Sequence, residues 1–289
     1  MVQDFIINGL VNGSIYALLA IGFSLIFGVA RIVNIAHTAL YMTAAYLIYM
    51  GLVRFGLPSL LVIPASILLT TILGLISYRL FIKPIREHEA AVLIATIALA
   101  MAIQEVFLLY FKGHYLNVPP LATGYLILGG VKVEMQRLLA LGVAVLALIG
   151  TWFLLLRTKA GLGIRCTAQD REVANLMGIN VNREIMVAIG ISVGMAAVAG
   201  AVVTPLRTIY PHMWMPPLIM MLAIVVLGGL GSIKGSFIAS YILGFTEASV
   251  VFAVPTAAYL QEPVALSIMI LALLIRPEGL FGVAFEEER

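Results

Sequence analysis

The chain has 289 residues, 62% of them apolar and 11% charged, with a mean hydropathy of +1.10. Soluble domains are about half apolar and about a quarter charged, so a water-soluble globule is excluded and a bilayer is the solvent that accommodates this composition. The formal charge of +3 comes from basic residues set between apolar runs, which reads as membrane topology and not as nucleic-acid binding. A single cysteine, Cys166, excludes an internal disulfide and a multi-cysteine metal site.

Residues 1–4 lack a basic n-region and carry Asp4, and the apolar run after them is too long for a signal-peptide core. The first segment is therefore expected to stay as a span. A helix crosses about 30 Å of hydrocarbon with about 20 residues, and the alternating strands of a membrane barrel are absent. Apolar windows at 5–29, 38–53, 60–82, 90–111, 137–156, 184–204, 217–231, 236–254 and 260–275 predict an all-α membrane protein. It is a polytopic helical bundle of eight or nine spans in one domain, 1–289. The windows 38–53, 217–231 and 260–275 are short and are expected to be tilted, re-entrant or broken.

Three breaks are basic: Arg79, Lys83 and Arg86; Arg157, Lys159, Arg165, Arg171 and Arg183; and Arg276. The positive-inside rule assigns them to the cytoplasm. The opposite breaks are poorer in charge, with Arg54 and Arg207, although 112–136 holds Lys112 and Lys132. Nine spans place the N-terminus outside. The loops around Val118-Pro119-Pro120 and 211–217, with His212 and Trp214, combine proline turns with interfacial aromatic anchors. The tail 286–289 is expected to be a solvated end.

Four features carry mechanism. Asn34-Ile35-Ala36-His37 lies between the first two spans, where Asn34 is expected to cap the second helix through its side-chain oxygen. A helix start carries free amides and a partial positive charge, which suits an amino-acid carboxylate. Asn34 and His37 thus either line a translocation path or act as a cap and a satisfied polar histidine. Glu105, beside Gln104, and Glu247 fall inside apolar windows, where a charge costs about 2.5–3.5 kcal/mol. Both are expected to face the bundle interior, a water path or each other, as structural carboxylates or as ligands of a substrate ammonium group. In 157–183 a short helix is predicted from Ala168 to Met177, with Val173, Leu176 and Met177 as its apolar edge, Asp170, Arg171 and Asn175 opposite, and Gly178 as its stop. The edge suits a partner groove. Gly228, Gly229, Gly231 and Gly235 interrupt two spans and predict a tight turn with close helix packing or a hinge.

No GxxxxGK[ST] loop, HExxH or short-spaced acid pair occurs, so neither an ATPase nor an enzyme is expected.

The run Glu172-Val173-Ala174, three residues, then Gly178 resembles the EAA-type loop by which ABC importer permeases dock their ATPase. The wider string AQDREVANLMGINVNR, the opening GLVNGSIYALLAIGFSLIFGVARIVNIAH, the string VVLGGLGSIKGSFIASYILGFTEA and RPEGLFG (Arg276 to Gly282) resemble the LivH/LivM family of branched-chain amino acid permeases, LivH-type. Thr38 stands where the family usually has glycine, and Ile35 where an aromatic is commoner. The resemblance implies a multi-pass protein of the bacterial inner membrane with no cofactor of its own. It also implies that Arg165, Asp170, Arg171, Glu172, Ala174 and Gly178 form a cytoplasmic coupling loop to two ATP-binding subunits. A second permease subunit, expected to be a sister protein, and an external substrate-binding protein would complete the transporter. Urea or short amides are the alternative cargo, and an ion-coupled secondary transporter using Glu105 and Glu247 is the alternative mechanism.

Overall fold

The computed structural model describes residues 2–128, 131–253 and 260–281. Eleven α-helices follow one another among these residues: α1 (Val2–Ala30), α2 (Ala36–Tyr49), α3 (Ser59–Ser77), α4 (Glu89–Phe111), α5 (Met135–Arg157), α6 (Lys159–Gln169), α7 (Arg171–Leu176), α8 (Val181–Val203), α9 (Met215–Gly228), α10 (Ile233–Ala253) and α11 (Gln261–Ile275). Short π-helical turns extend α2 to Arg54 and α3 to Ile82. Seven of the described helical stretches are long and apolar enough to cross a membrane, and α9 and α11 are shorter apolar helices. The expected all-α bundle is thus present. Its one addition is a small antiparallel hairpin, β1 (Tyr125–Leu128) and β2 (Val131–Glu134), in the loop before α5. The tail 286–289, the loop 255–259 and Gly282 lie outside the described residues.

Burial divides the helices into two sets. α1 is enclosed on nearly all sides from Val11 to Ile26, and α2 and α8 are buried over most of their length. Around them, α3, α4 and α5 each bury one narrow stripe at spacings of four: Val62, Ser66, Thr70 and Gly74; Val92, Thr96, Ala100 and Gln104; Gln136, Ala140, Ala144 and Leu148. A helix that touches protein along one line and lipid elsewhere needs small or polar groups only on that line. The exposed faces are accordingly apolar, with residues such as Leu60, Ile94 and Leu146.

Small residues let backbones approach. Gly244 of α10 lies against the backbone of Gly13 in α1, Gly200 of α8 against Tyr41 of α2, and Gly228 of α9 against Gly235 of α10. The pairing pattern repeats along the chain: α1 packs on α10 as α8 packs on α3, and α2 meets α4 as α9 meets α11. Each repeat opens with a long helix, returns through an irregular segment and continues as a short helix.

Of the short windows, 217–231 is a short helix, whereas 38–53 lies in a continuous helical stretch of 19 residues, Ala36–Arg54; both start inside the bundle. α2 begins beside Gly22, about two turns inside α1, since the His37 ring packs on Gly22. Before α9, Trp214 Nε1 donates to Gln104 Oε1 (2.8 Å), about two turns inside α4. Trp214 is consequently a core residue and not the interfacial anchor expected from its loop. Far down the chain, Leu280 N donates to Leu227 O (2.7 Å) and Phe281 N to Gly228 O (3.1 Å), supplying two of the donors that the last turn of α9 lacks.

A side chain at Gly244 would place Cβ 2.6 Å from Gly13 Cα, whereas one at Gly142 meets nothing within 4 Å. Gly244→Val is expected to destabilise the solubilised protein by about 1–3 kcal/mol or more. Gly142→Ala should leave its thermal unfolding unchanged, read by fluorescence-detected size exclusion after heating.

Candidate functional site

The segment 31–35 carries the chain from the end of α1 back into the bundle. Asn34 (5% exposed), His37 and Thr38 (both 0%) are buried at the start of α2. Asn34 does not cap the helix: Ile35 takes the cap position with helical φ and ψ and no side-chain bond, and the Asn34 contact is a backbone one, His37 N to Asn34 O at 3.3 Å. Once Ile35 is helical, the Asn34 side chain falls one position too early to reach the first amides. Its Oδ1, His37 Nε2 and Thr38 Oγ1 are left without hydrogen-bond partners. The Ser192 hydroxyl donates to Gly22 O (2.6 Å) and lies 3.4 Å from His37 Nδ1. The Leu19 carbonyl also faces the ring, so the donor and acceptor roles of Nδ1 and Nε2 follow from the tautomer. Buried polar atoms without partners are rare in folded proteins, and here three cluster within five residues at the start of one helix.

Glu247 of α10 is buried as expected, at 3% exposure. Tyr16 OH donates to its Oε1 (2.8 Å) and Asn12 Nδ2 to its Oε2 (3.3 Å), so α1 supplies two donors one turn apart. Arg207, in the loop after α8, interacts with Tyr16, Tyr41 and Glu247. Its side chain borders both a cavity of about 440 Å³ beneath the β1–β2 hairpin and a void of about 10 Å³ reaching Leu19, Tyr41 and Pro217. Asn12, Ile15 and Arg207 separate the two spaces.

Glu105 departs from expectation. It is exposed on the outer side of α4, away from the bundle interior and from Glu247. The buried stripe of α4 runs through Gln104, which accepts from Trp214 and pairs with His212 Nδ1 (3.1 Å). The next residue is turned about 100° away, and Gln104 Nε2 reaches it at 3.3 Å.

At the opposite, basic end, the expected helix from Ala168 to Met177 is two helices. α6 starts at Lys159, capped by the Thr158 hydroxyl, and ends at Gln169. Asp170 adopts an extended conformation and its Oδ1 accepts from Glu172 N (2.8 Å) and Val173 N (3.0 Å), so it caps α7 instead of lying within a helix. Aspartate at such a position favours the cap over helix continuation. Gly178 takes φ +82° and closes α7, while Ala174 is buried beneath it. Val173, Leu176 and Met177 are 53%, 86% and 78% exposed. Glu172 and Arg165 do not join this edge; Arg165 Nε reaches back to Gly161 O at 3.4 Å. Arg171 turns inward, donating from Nε (3.1 Å) and Nη2 (2.8 Å) to Val29 O at the end of α1. Burial, then the nearby Arg31 and Arg86, lowers its pKa. The glycine turn sits beside the same end: Gly229 and Gly231 have φ +98° and +80°, and Gly231 Cα is 3.9 Å from where a Gly28 Cβ would lie.

Sequence reasoning missed Asn12, Tyr16 and the interior role of Arg207, and it marked Thr38 only as a departure from the family pattern. The i, i+4 pair Asn12 and Tyr16 on an otherwise apolar helix was a readable signal for a buried polar partner. The inward turn of Arg171 had none.

A family model described as the branched-chain amino acid transport system permease component matches residues 5–273. The chain belongs to this family. It is 31% identical over 294 residues to the high-affinity branched-chain amino acid transport permease BraD of Pseudomonas aeruginosa, covering 96% of this chain and 94% of that one. LivH of Salmonella typhimurium is 29% identical over 95% of the permease and 94% of the relative. The ribose import permease RbsC of Haemophilus influenzae is more distant, at 27% over 84% of the permease and 76% of the relative. Among solved structures, PsaBC from Streptococcus pneumoniae in complex with Fab matches with a TM-score of 0.54 and 16% identity, covering 96% of this chain and 97% of that one, a likeness of fold. The permease is therefore a multi-pass, non-catalytic subunit of a branched-chain amino acid ABC transport system. ATP is hydrolysed by partner ATPases, and a substrate-binding protein belongs to the same machinery.

Removing the Tyr16 hydroxyl leaves the Glu247 carboxylate with one fewer donor in a dry interior. Tyr16→Phe is expected to lower stability by about 1–3 kcal/mol, measured as denaturant or thermal unfolding in detergent, and Glu247→Gln by less because it keeps a hydrogen-bonding group.

Proposed function

We propose that this permease carries leucine, isoleucine, valine or a related small amino acid into the cell through the α1–α2 junction. The observation that carries the reading is the group of unpartnered buried atoms Asn34 Oδ1, His37 Nε2 and Thr38 Oγ1 at a helix that begins inside the bundle. Asn34 Oδ1 is an acceptor and suits an ammonium group, while the first amides and partial positive end of α2 suit a carboxylate. A zwitterion thus finds both complements at one place. The site is closed in this conformation and opens as the bundle repacks between two states of similar free energy. Glu247, already held by Asn12 and Tyr16, serves as a structural carboxylate and not as the ammonium ligand.

The segment 157–183 is the coupling loop. Its exposed Val173, Leu176 and Met177 edge is a ridge for a groove in an ATP-binding subunit, and the basic end that bears it is cytoplasmic. Two such subunits, a second permease and an external binding protein complete the transporter. We take the second permease to be a sister protein. The hairpin-side cavity bordered by Arg207 faces outward, toward the binding protein.

Two experiments test the reading. In proteoliposomes containing the whole transporter, His37→Phe should reduce uptake of labelled leucine at least about tenfold, as for loss of an interaction worth about 1.4 kcal/mol or more. Unchanged leucine uptake removes the junction from the path, and stronger inhibition of wild-type uptake by urea or acetamide than by valine moves the cargo class to amides. Leu176→Asp should abolish co-purification of the ATP-binding subunits, and their retention would show that they grip another surface.

A further inference from the structure

We propose that Arg171 is a positioning residue that joins the coupling helix to the substrate junction, so that α7, the end of α1 and the start of α2 move as one body. The proposal rests on the reading of 157–183 as the ATPase-docking loop and adds the route by which movement leaves it.

α1 ends at Ala30, and its last carbonyls have no partners within the helix. Arg31 N closes one bond back to Phe27 O (2.8 Å) while Arg31 itself sits at φ +48°, a left-handed conformation uncommon for a residue with a side chain. The Val29 carbonyl, at the negative end of the helix, is met from 142 positions away by the Arg171 fork, Nε at 3.1 Å and Nη2 at 2.8 Å. Two charge-assisted bonds from one planar group fix direction as well as distance. A lysine can supply charge there but only a single point of attachment.

Both ends of this contact lack slack. On the α7 side, Asp170 accepts from the second and third amides of the helix and Ala174 is buried, so the position of the Arg171 backbone is set by the helix that bears the exposed ridge. On the α1 side, only residues 31–35 separate Ala30 from Ala36. Ile32 and Asn34 in that segment are buried at 4% and 5% exposure. Displacement of Val29 is therefore transmitted to Asn34, His37 and Thr38 through packed backbone and not absorbed by a loose loop. The other flank of the α1 end meets the glycine turn at Gly231 through the Gly28 backbone and the edge of the Phe27 ring.

The test uses the complete transporter in proteoliposomes, with ATP hydrolysis and labelled leucine uptake measured in the same vesicles. Arg171→Gln should keep the ATP-binding subunits and their hydrolysis while uptake falls about tenfold, within the usual range for coupling between two sites. ATP consumed per leucine should rise accordingly, and Arg171→Lys should restore part of the uptake. Unchanged uptake, or uptake and hydrolysis falling in equal proportion in an assembled complex, would overturn the proposal. Loss of the ATP-binding subunits from Leu176→Asp reports on docking alone, so the two readings fail separately. If Arg171→Gln does not assemble, a Cys166→Ser chain that keeps Arg171 and carries spin labels at Arg31→Cys and Asn175→Cys decides. Their separation should be the same in nucleotide-free and ATP-trapped complexes, and a nucleotide-dependent change in that distance refutes the single moving body.

Discussion

Hydrocarbon offers no partner to a bare peptide group, so backbone that leaves the helix inside a bilayer has to be wrapped by the rest of the protein. Among the described residues this permease has two such places, the return segments ahead of α2 and α9, and its architecture follows from enclosing them. α1 and α8 stand next to the returns and are buried on most sides, and their glycines let α10 and α2 come to backbone contact so that no gap admits lipid. The outer helices need only seal the assembly, which is why each offers one stripe of small or polar residues and leaves the rest to the membrane.

The polar groups sort into two kinds within this enclosure. Those that hold helices together are paired: Glu247 with Tyr16 and Asn12, Ser24 with Ser236 at 2.5 Å, Gln104 with Trp214. Those at the start of α2 are not. A sequence under selection for stability alone would fill that place with apolar side chains or complete the bonds, because an unpaired buried acceptor costs about 1–3 kcal/mol. Tyr46, Thr70, Thr167 and Glu184 also carry an unpartnered buried atom, but each stands alone, whereas the start of α2 gathers three within five residues.

Much of this was legible in the sequence, for physical reasons. Apolar windows and basic breaks located the spans, and two of the three short windows mark helices that begin inside the bundle. The glycine string gave the close approach of α9 and α10. What the sequence could not supply was direction around a helix axis. Glu105 and Gln104 differ by one residue, and only the packing of Trp214 decides which of them turns inward. Likewise Asp170 reads equally well as a helical residue or as a cap, and the choice between them reverses where Arg171 points. Of the two roles the sequence left open for Asn34, the cap fails, because a cap is defined by the φ and ψ of its neighbour and Ile35 gives no local sign of being helical.

The strap formed by Leu280 and Phe281 on the last carbonyls of α9 bears on how the protein is made. Leu227 and Gly228 emerge from the ribosome long before the residues that satisfy them. Until then α9 is a short helix with an unfinished end, packed against α1 and then α10. Insertion of the spans and completion of the fold are therefore separate events, the second waiting on the arrival of a distant segment. Quality control that inspects nascent membrane proteins for exposed backbone has a window in which to act on this one.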